Sequence, residues 1–311
     1  MSKFQFGLIA ALSAIAMTPA HAGQVITTAG GVSLGIQDMG ALGEQGVGIS
    51  LAGLGDGITP GCLCEGWGAS IGSTVGWSAN ENGGNSNVSL VSFASGVNAA
   101  TSIVDIGTSL RVSQAYGLSS STALVKNTVT LTNLTGSAAV LRYTRVMDWD
   151  IPPTAFNEYV TIGGVGASKL VFSGDDGFAT PNPLSNPSAL VAGTSNVNVV
   201  DSGPADHGAF FTFDFGSVEA GKSVTFDIFY GAAASERAAM AALGEVGAEV
   251  YSLGQNSQAG GASDGTPGTY IFGFAGVGGT PVPAVPEPET YALMLAGVGV
   301  VALMARRRRT A

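Results

Sequence analysis

Residues 127–133, NTVTLTN, and 139–151, AVLRYTRVMDWDI, decide the fold. In the first, Val129 and Leu131 fall on one side and Thr128, Thr130 and Thr132 on the other. That period of two marks a strand with one buried face. In the second, Leu141, Tyr143, Met147, Trp149 and Ile151 share a face that Arg145 interrupts. The turn NLTGS between them makes the pair read as a hairpin. AFFTFDFG (209–216) and KSVTFDIFYG (222–231), split by SVEAG, read as another, with Val224, Phe226, Ile228 and Tyr230 pointing one way. The pattern predicts a mainly β fold, a large antiparallel β-sandwich with one wet face on each sheet.

Composition agrees. Only 11% of the 311 residues are charged, while glycine numbers 47, as expected of many turns that need a positive φ. One helix is predicted over 235–255, SERAAMAALGEVGAEVYSLGQ. Ser235 is its N-cap and Glu236 lies in its first turn. Met240, Leu243, Val246 or Gly247, Val250 and Leu253 follow at helical spacing. The region 23–78 reads as short strands joined by turns. TPNPLSNPS (180–188) reads as a surface loop, because three prolines forbid a central strand. YIFGFAGV (270–277) reads as a last strand.

Both ends carry targeting patterns. Residues 1–22 read as a signal peptide: Lys3 gives the positive start, 6–17 the apolar run, and Ala20 and Ala22 flank the small-x-small cleavage pattern. The body is then 23–277. GGTPVPAVPEPE (278–289) reads as a stiff linker, 290–305 as a transmembrane helix, and 306–311 as a basic cytoplasmic tail. The uncharged run 291–305 would make a helix about 22 Å long at 1.5 Å per residue. A hydrocarbon core is about 30 Å thick, so the span is short for a lasting anchor. Arg306, Arg307, Arg308 and Arg309 form a stop-transfer cluster. Pro286, Glu287 and Pro288 hold an acidic residue extended just outside the span.

These three parts, in order, resemble the PEP-CTERM sorting signal of Gram-negative bacteria, over about residues 285–310. The resemblance implies recognition of Pro286-Glu287-Pro288 by a membrane-embedded exosortase and cleavage nearby. It further implies passage by the export machinery through a transient stay in the inner membrane to the cell surface or exopolysaccharide matrix.

The body offers little chemistry. Between residues 23 and 285 seven basic residues face twenty acidic ones, a net charge of −13 that excludes a nucleic-acid partner. Asp148 and Asp150, two apart on a strand, can bind calcium or act as an acid/base pair; the alternative is a strand end with two solvated aspartates. Asp175 and Asp176 read as turn formers, with calcium the alternative. Cys62 and Cys64 read as a local disulfide or two buried thiols, with redox and metal roles as alternatives. His207, after Asp206, reads as a surface residue, and no G-x-S-x-G motif accompanies it. Trp67, Trp77 and Trp149 read equally as core residues or as platforms for sugar rings. The resulting expectation is a non-enzymatic structural protein of the surface, biofilm or exopolysaccharide matrix, with no cofactor beyond calcium. The alternatives are a polysaccharide- or calcium-binding module and, with Asp148, Asp150 and His207 as its hooks, a surface hydrolase.

Overall fold

The computed structural model describes residues 23–257 and 263–284. The signal peptide, the PEP motif, the transmembrane run and the arginine cluster lie outside them. Nineteen strands and one helix follow one another in those residues. The first ten strands are β1 (Gln24–Thr27), β2 (Val32–Ile36), β3 (Ile49–Leu51), β4 (Gly55–Asp56), β5 (Glu65–Ile71), β6 (Thr74–Ala79), β7 (Asn85–Ser86), β8 (Val88–Gly96), β9 (Ala99–Ile106) and β10 (Leu110–Leu118). The next seven are β11 (Leu124–Asn133), β12 (Ala139–Asp148), β13 (Glu158–Gly163), β14 (Leu170–Gly174), β15 (Val199–Ala205), β16 (Gly208–Val218) and β17 (Ser223–Ala233). Helix α1 (Glu236–Glu245), β18 (Val250–Asn256) and β19 (Thr269–Ala275) complete the series.

All pairings between these strands are antiparallel. A nine-stranded sheet runs in the order β15-β13-β18-β19-β17-β11-β10-β9-β8, and a six-stranded sheet in the order β14-β16-β12-β5-β6-β7. A four-stranded sheet, β1 to β4, sends Ile26, Leu34, Ile36 and Ile49 into the same apolar interior as the two larger sheets. Aromatic rings fill the space between the large sheets, with Phe213 4.6 Å from Phe274 and Tyr143 5.1 Å from Phe226 between centroids. Helix α1 lays Ala239, Ala242 and Leu243 on Leu124, Phe229 and Ile271 of the nine-stranded sheet.

Neither expected hairpin exists. β11 belongs to the nine-stranded sheet and β12 to the six-stranded one, and β16 and β17 divide the same way. Each pair is an arch that carries the chain from one layer to the other. The reason is the depth of burial: Val129 and Leu131 meet the apolar side of β12 face to face, which two strands side by side in one sheet cannot do.

Asn133 ties the two arches together. Its backbone N–H donates to the Lys222 carbonyl (3.0 Å) and its carbonyl accepts from Gly221 (2.9 Å). Its side-chain Nδ2 donates to the carbonyls of Ser137 and Val218, each at 2.8 Å, and Oδ1 accepts from Thr135. Asn133→Ala orphans the buried Val218 carbonyl, so a loss of about 1–3 kcal/mol is expected in urea unfolding. A loss under about 0.5 kcal/mol, the size typical of a surface substitution, would show that the arches do not depend on it.

The expected helix is half as long as its pattern. Ser235 accepts from the Ala238 N–H and caps the start. The end is a Schellman turn: Ala248 N–H donates to Leu243 O (3.0 Å), Gly247 N–H to Gly244 O (3.3 Å), and Gly247 takes φ +64°. After it, 250–256 is a strand of the nine-stranded sheet, where Val250 and Leu253 are buried at sheet positions. Tertiary pairing overrides the helical spacing there.

A loop, residues 37–43, enters the interior, where a set of buried polar residues receives it. Buried backbone groups must find partners. The carbonyl of Asp38 accepts from Ser102 (2.7 Å), that of Met39 from Trp67 Nε1 (2.8 Å), and that of Gly40 from Tyr116 (2.7 Å) and Arg145 Nη1 (3.1 Å). The N–H of Leu42 donates to Glu65 Oε2 (2.6 Å), and its carbonyl accepts from Asn80 (2.9 Å). Gly40 has φ +81°, and a Cβ there would stand 2.3 Å from Gln114 Nε2. Arg145, the interruption in the apolar face of β12, is therefore fully buried, paired with Glu65 at 2.5 Å and stacked over the Tyr230 ring at 5.3 Å.

Candidate functional site

The expected solvated aspartates are buried instead. Asp148 closes β12 at 1% exposure, and Asp150, two residues on, is at 0%. They lie at the end of the β12–β16 ladder opposite the Asn133 arches, where Asp148 pairs with Gly208 on the neighbouring strand. The Asp148 N–H donates to the Cys64 carbonyl (2.9 Å) and the Asp150 N–H to the Gly57 carbonyl (2.8 Å), which fixes both backbones. Cys62 and Cys64 are joined in a disulfide immediately before β5, so that link neighbours the Asp148 strand. Gly177 and Gly208 allow the close approach, since a Cβ at either would stand 2.6–2.7 Å from the Asp148 Cα.

A third carboxylate arrives from far along the chain. Asp206 sits where β15 crosses to β16, and oxygens of Asp148, Asp150 and Asp206 lie within 4.8 Å of one another. Asp206 is exposed, so the group opens to solvent on its side. His207 sets its position. The ring is fully buried, not on the surface, with Nδ1 3.0 Å from Asp175 Oδ2 and Nε2 3.3 Å from the Glu158 carbonyl. Both ring nitrogens are thus engaged, and neither partner is a serine. Asp175 also accepts from the N–H groups of Leu190 and Val191, each at 2.9 Å. Burial raises its carboxyl, but His207 and the Val191 and Leu190 donors prevail and hold it below its ordinary value. Asp175 is thus a clasp between segments. Asp176 does form the expected turn, accepting from Phe178 (3.1 Å).

The electrostatics follow from burial and crowding. Burial, then the charges of Asp150, Asp206 and Asp176, push the Asp148 carboxyl up to about 8. Burial, then Asp206 and Asp56, push Asp150 up to about 7. Burial pushes the nearby Glu158 up to about 9, against the donor from Phe156 and helped by Asp150 and Asp206. Among the described residues no lysine or arginine forms an ion pair with the trio. Each raised group adds stability that is fully present below its unfolded value near 4 and is lost as pH rises through its folded value. In buffer stripped of divalent cations, unfolding free energy should therefore fall between pH 5 and pH 9, by at least about 3 kcal/mol. Asp175, shifted the other way, acts only below that window. A flat urea-unfolding profile over that range would contradict the arrangement.

Sequence spacing points to Asp148 and Asp150 but not to Asp206 or Glu158, which only the sheet crossing brings near. The tryptophans divide: Trp67 and Trp149 are fully buried and only Trp77 is partly exposed, so two of the three sugar platforms are core residues. Among the described residues no helix is long and apolar enough to cross a membrane.

The body resembles, at a distance, solved structures of carbohydrate enzymes. One is a protein assigned as an aldose 1-epimerase from Escherichia coli K12, at 13% identity, with 84% of this chain and 89% of that one covered and a TM-score of 0.33. Another is a galactose mutarotase related enzyme from Lactobacillus acidophilus, at 9% identity, with 82% and 86% covered and a TM-score of 0.33. At those scores neither bears on fold or activity. No curated protein matches the sequence. Residues 284–309, by contrast, match the family model of the PEP-CTERM protein-sorting motif. The chain carries a C-terminal PEP-CTERM sorting signal, which implies export, transient membrane anchoring and recognition by an exosortase.

Proposed function

We propose that the protein is an exported, non-catalytic structural component of the cell surface or exopolysaccharide matrix, delivered by its tail. The sorting motif at 284–309 is the observation that carries this reading. The body suits it: a large sandwich with most of its aromatic side chains turned inward and an acidic chain, poor in basic residues, whose net charge keeps like copies soluble. Surface labelling of intact cells with a membrane-impermeant amine reagent tests it. The account expects Lys126 and Lys222 to be modified without lysis. Labelling that appears only after the outer membrane is opened would overturn the surface assignment.

A second reading, a binding module, is favoured by the three clustered aspartates. Sugar stacking supports it less, because Trp67 and Trp149 are unavailable. The hydrolase reading loses its triad, because both nitrogens of His207 are committed to Asp175 and Glu158.

A further inference from the structure

Asp148, Asp150 and Asp206 place carboxylate oxygens within 4.8 Å of one another. Asp148 Oδ1 and both oxygens of Asp150 are buried and have no hydrogen-bond partner among the described residues. Buried acceptors without donors are costly, and like charges so close compound the cost. A fold keeps such a group when something of opposite charge completes it. Among the described residues the surroundings supply no such charge: Asp56, Glu158 and Asp176 are the titratable neighbours that raise these carboxyls, and all are acidic. His207, the one base near Asp206, is bonded to Asp175 and the Glu158 carbonyl.

We propose that Asp148, Asp150 and Asp206 form a binding site for one calcium ion, which ties the end of β12 to the crossing from β15 to β16. The donor set is all oxygen, which suits a hard cation and not zinc or copper, whose sites draw on nitrogen and sulfur. Calcium is favoured over magnesium because three carboxylates drawn from two segments supply charge without enforcing a strict octahedron, whereas magnesium keeps most of its water and binds through one or two carboxylates. The site is rigid at two ligands, through the N–H bonds of Asp148 and Asp150, and open at Asp206, which gives the ion a way in. This deepens the binding-module reading and rests on it alone; processing of the tail is a separate matter.

The test is titration of the purified full chain with calcium chloride or magnesium chloride, followed by calorimetry and thermal unfolding. One calcium per chain is expected, with the unfolding midpoint raised by at least about 4 °C in millimolar calcium. Asp206→Asn, at an exposed position, should weaken binding at least about tenfold because it removes a charged ligand, while the calcium-free midpoint should not fall, because the same change relieves the repulsion on Asp148 and Asp150. Asp150→Asn should abolish the calcium-dependent rise, and Glu219→Gln, an exposed carboxylate elsewhere, should leave it intact. Absence of heat and of any midpoint shift with calcium would overturn the proposal. So would an Asp206→Asn protein that binds as tightly as the parent, or magnesium binding as tightly as calcium. Because the readout is binding by purified protein, its failure would leave the sorting reading untouched, and mislocalised protein would leave this one untouched.

Discussion

Replacing Glu65 by leucine while Arg145 remains is expected to destabilise the protein by about 3–5 kcal/mol, because it strands a buried guanidinium. Glu65 and Arg145 are both fully buried, and a charge left alone there loses its counter-ion without regaining water. In the parent, burial opposes the charge on Arg145, yet Glu65 and the tyrosines around it hold the guanidinium above its ordinary value; in the variant it stays charged because an arginine guanidinium does not deprotonate in proteins. Burial pushes the Glu65 carboxyl up while Arg145 pulls it down, which makes the acid the weaker member of the pair. The same substitution removes the acceptor for the Leu42 N–H, so the loop 37–43 loses one of its fastenings. Glu65→Gln, which keeps an acceptor, should cost less. The double variant Glu65→Leu, Arg145→Met should recover at least about 2 kcal/mol of the single variant's loss, since neither charge is then buried. Urea unfolding of the four proteins measures this. A double variant no more stable than Glu65→Leu alone would show that the pair serves only to hold the loop.

The other large effect lies in the tail. Changing Pro286, Glu287 and Pro288 together to alanine should abolish release of the body and leave full-length protein in the membrane fraction. Proline restricts its own backbone and that of the residue before it, and three alanines lift both restrictions and raise helix propensity, so the motif should lose the form in which it is recognised. The body should be unaffected, with its unfolding midpoint unchanged. Release at the parent's level would mean that the sorting enzyme reads only the span and the arginines.

How far the sequence discloses the molecule depends on the range of the interaction. The alternation in 127–133 is real: Val129 and Leu131 are buried, and the threonines between them face out to pair with Asp227, Thr225 and Ser223. Whether β11 and β12 lie side by side or face to face is not in that alternation, because either arrangement buries the same residues. The helix shows the same limit. Its start is local and legible in Ser235, whereas its stop at Gly247 competes with a spacing that continues through Leu253. Arg145 is visible as an anomaly in an apolar stripe, but its partner Glu65 is eighty residues away and its purpose is a loop farther still. Asp148 and Asp150 are neighbours in sequence and so are noticed, and Asp206 becomes their neighbour only once β15 crosses to β16.

The decisive measurement is the intact mass of the protein recovered outside the cell from a host with an active exosortase, set beside protein from cells lacking that enzyme. Released chains should end near Pro288, and full-length chains should stay in the membrane when the enzyme is absent. Released protein that still carries Arg306 to Arg309 would contradict that expectation.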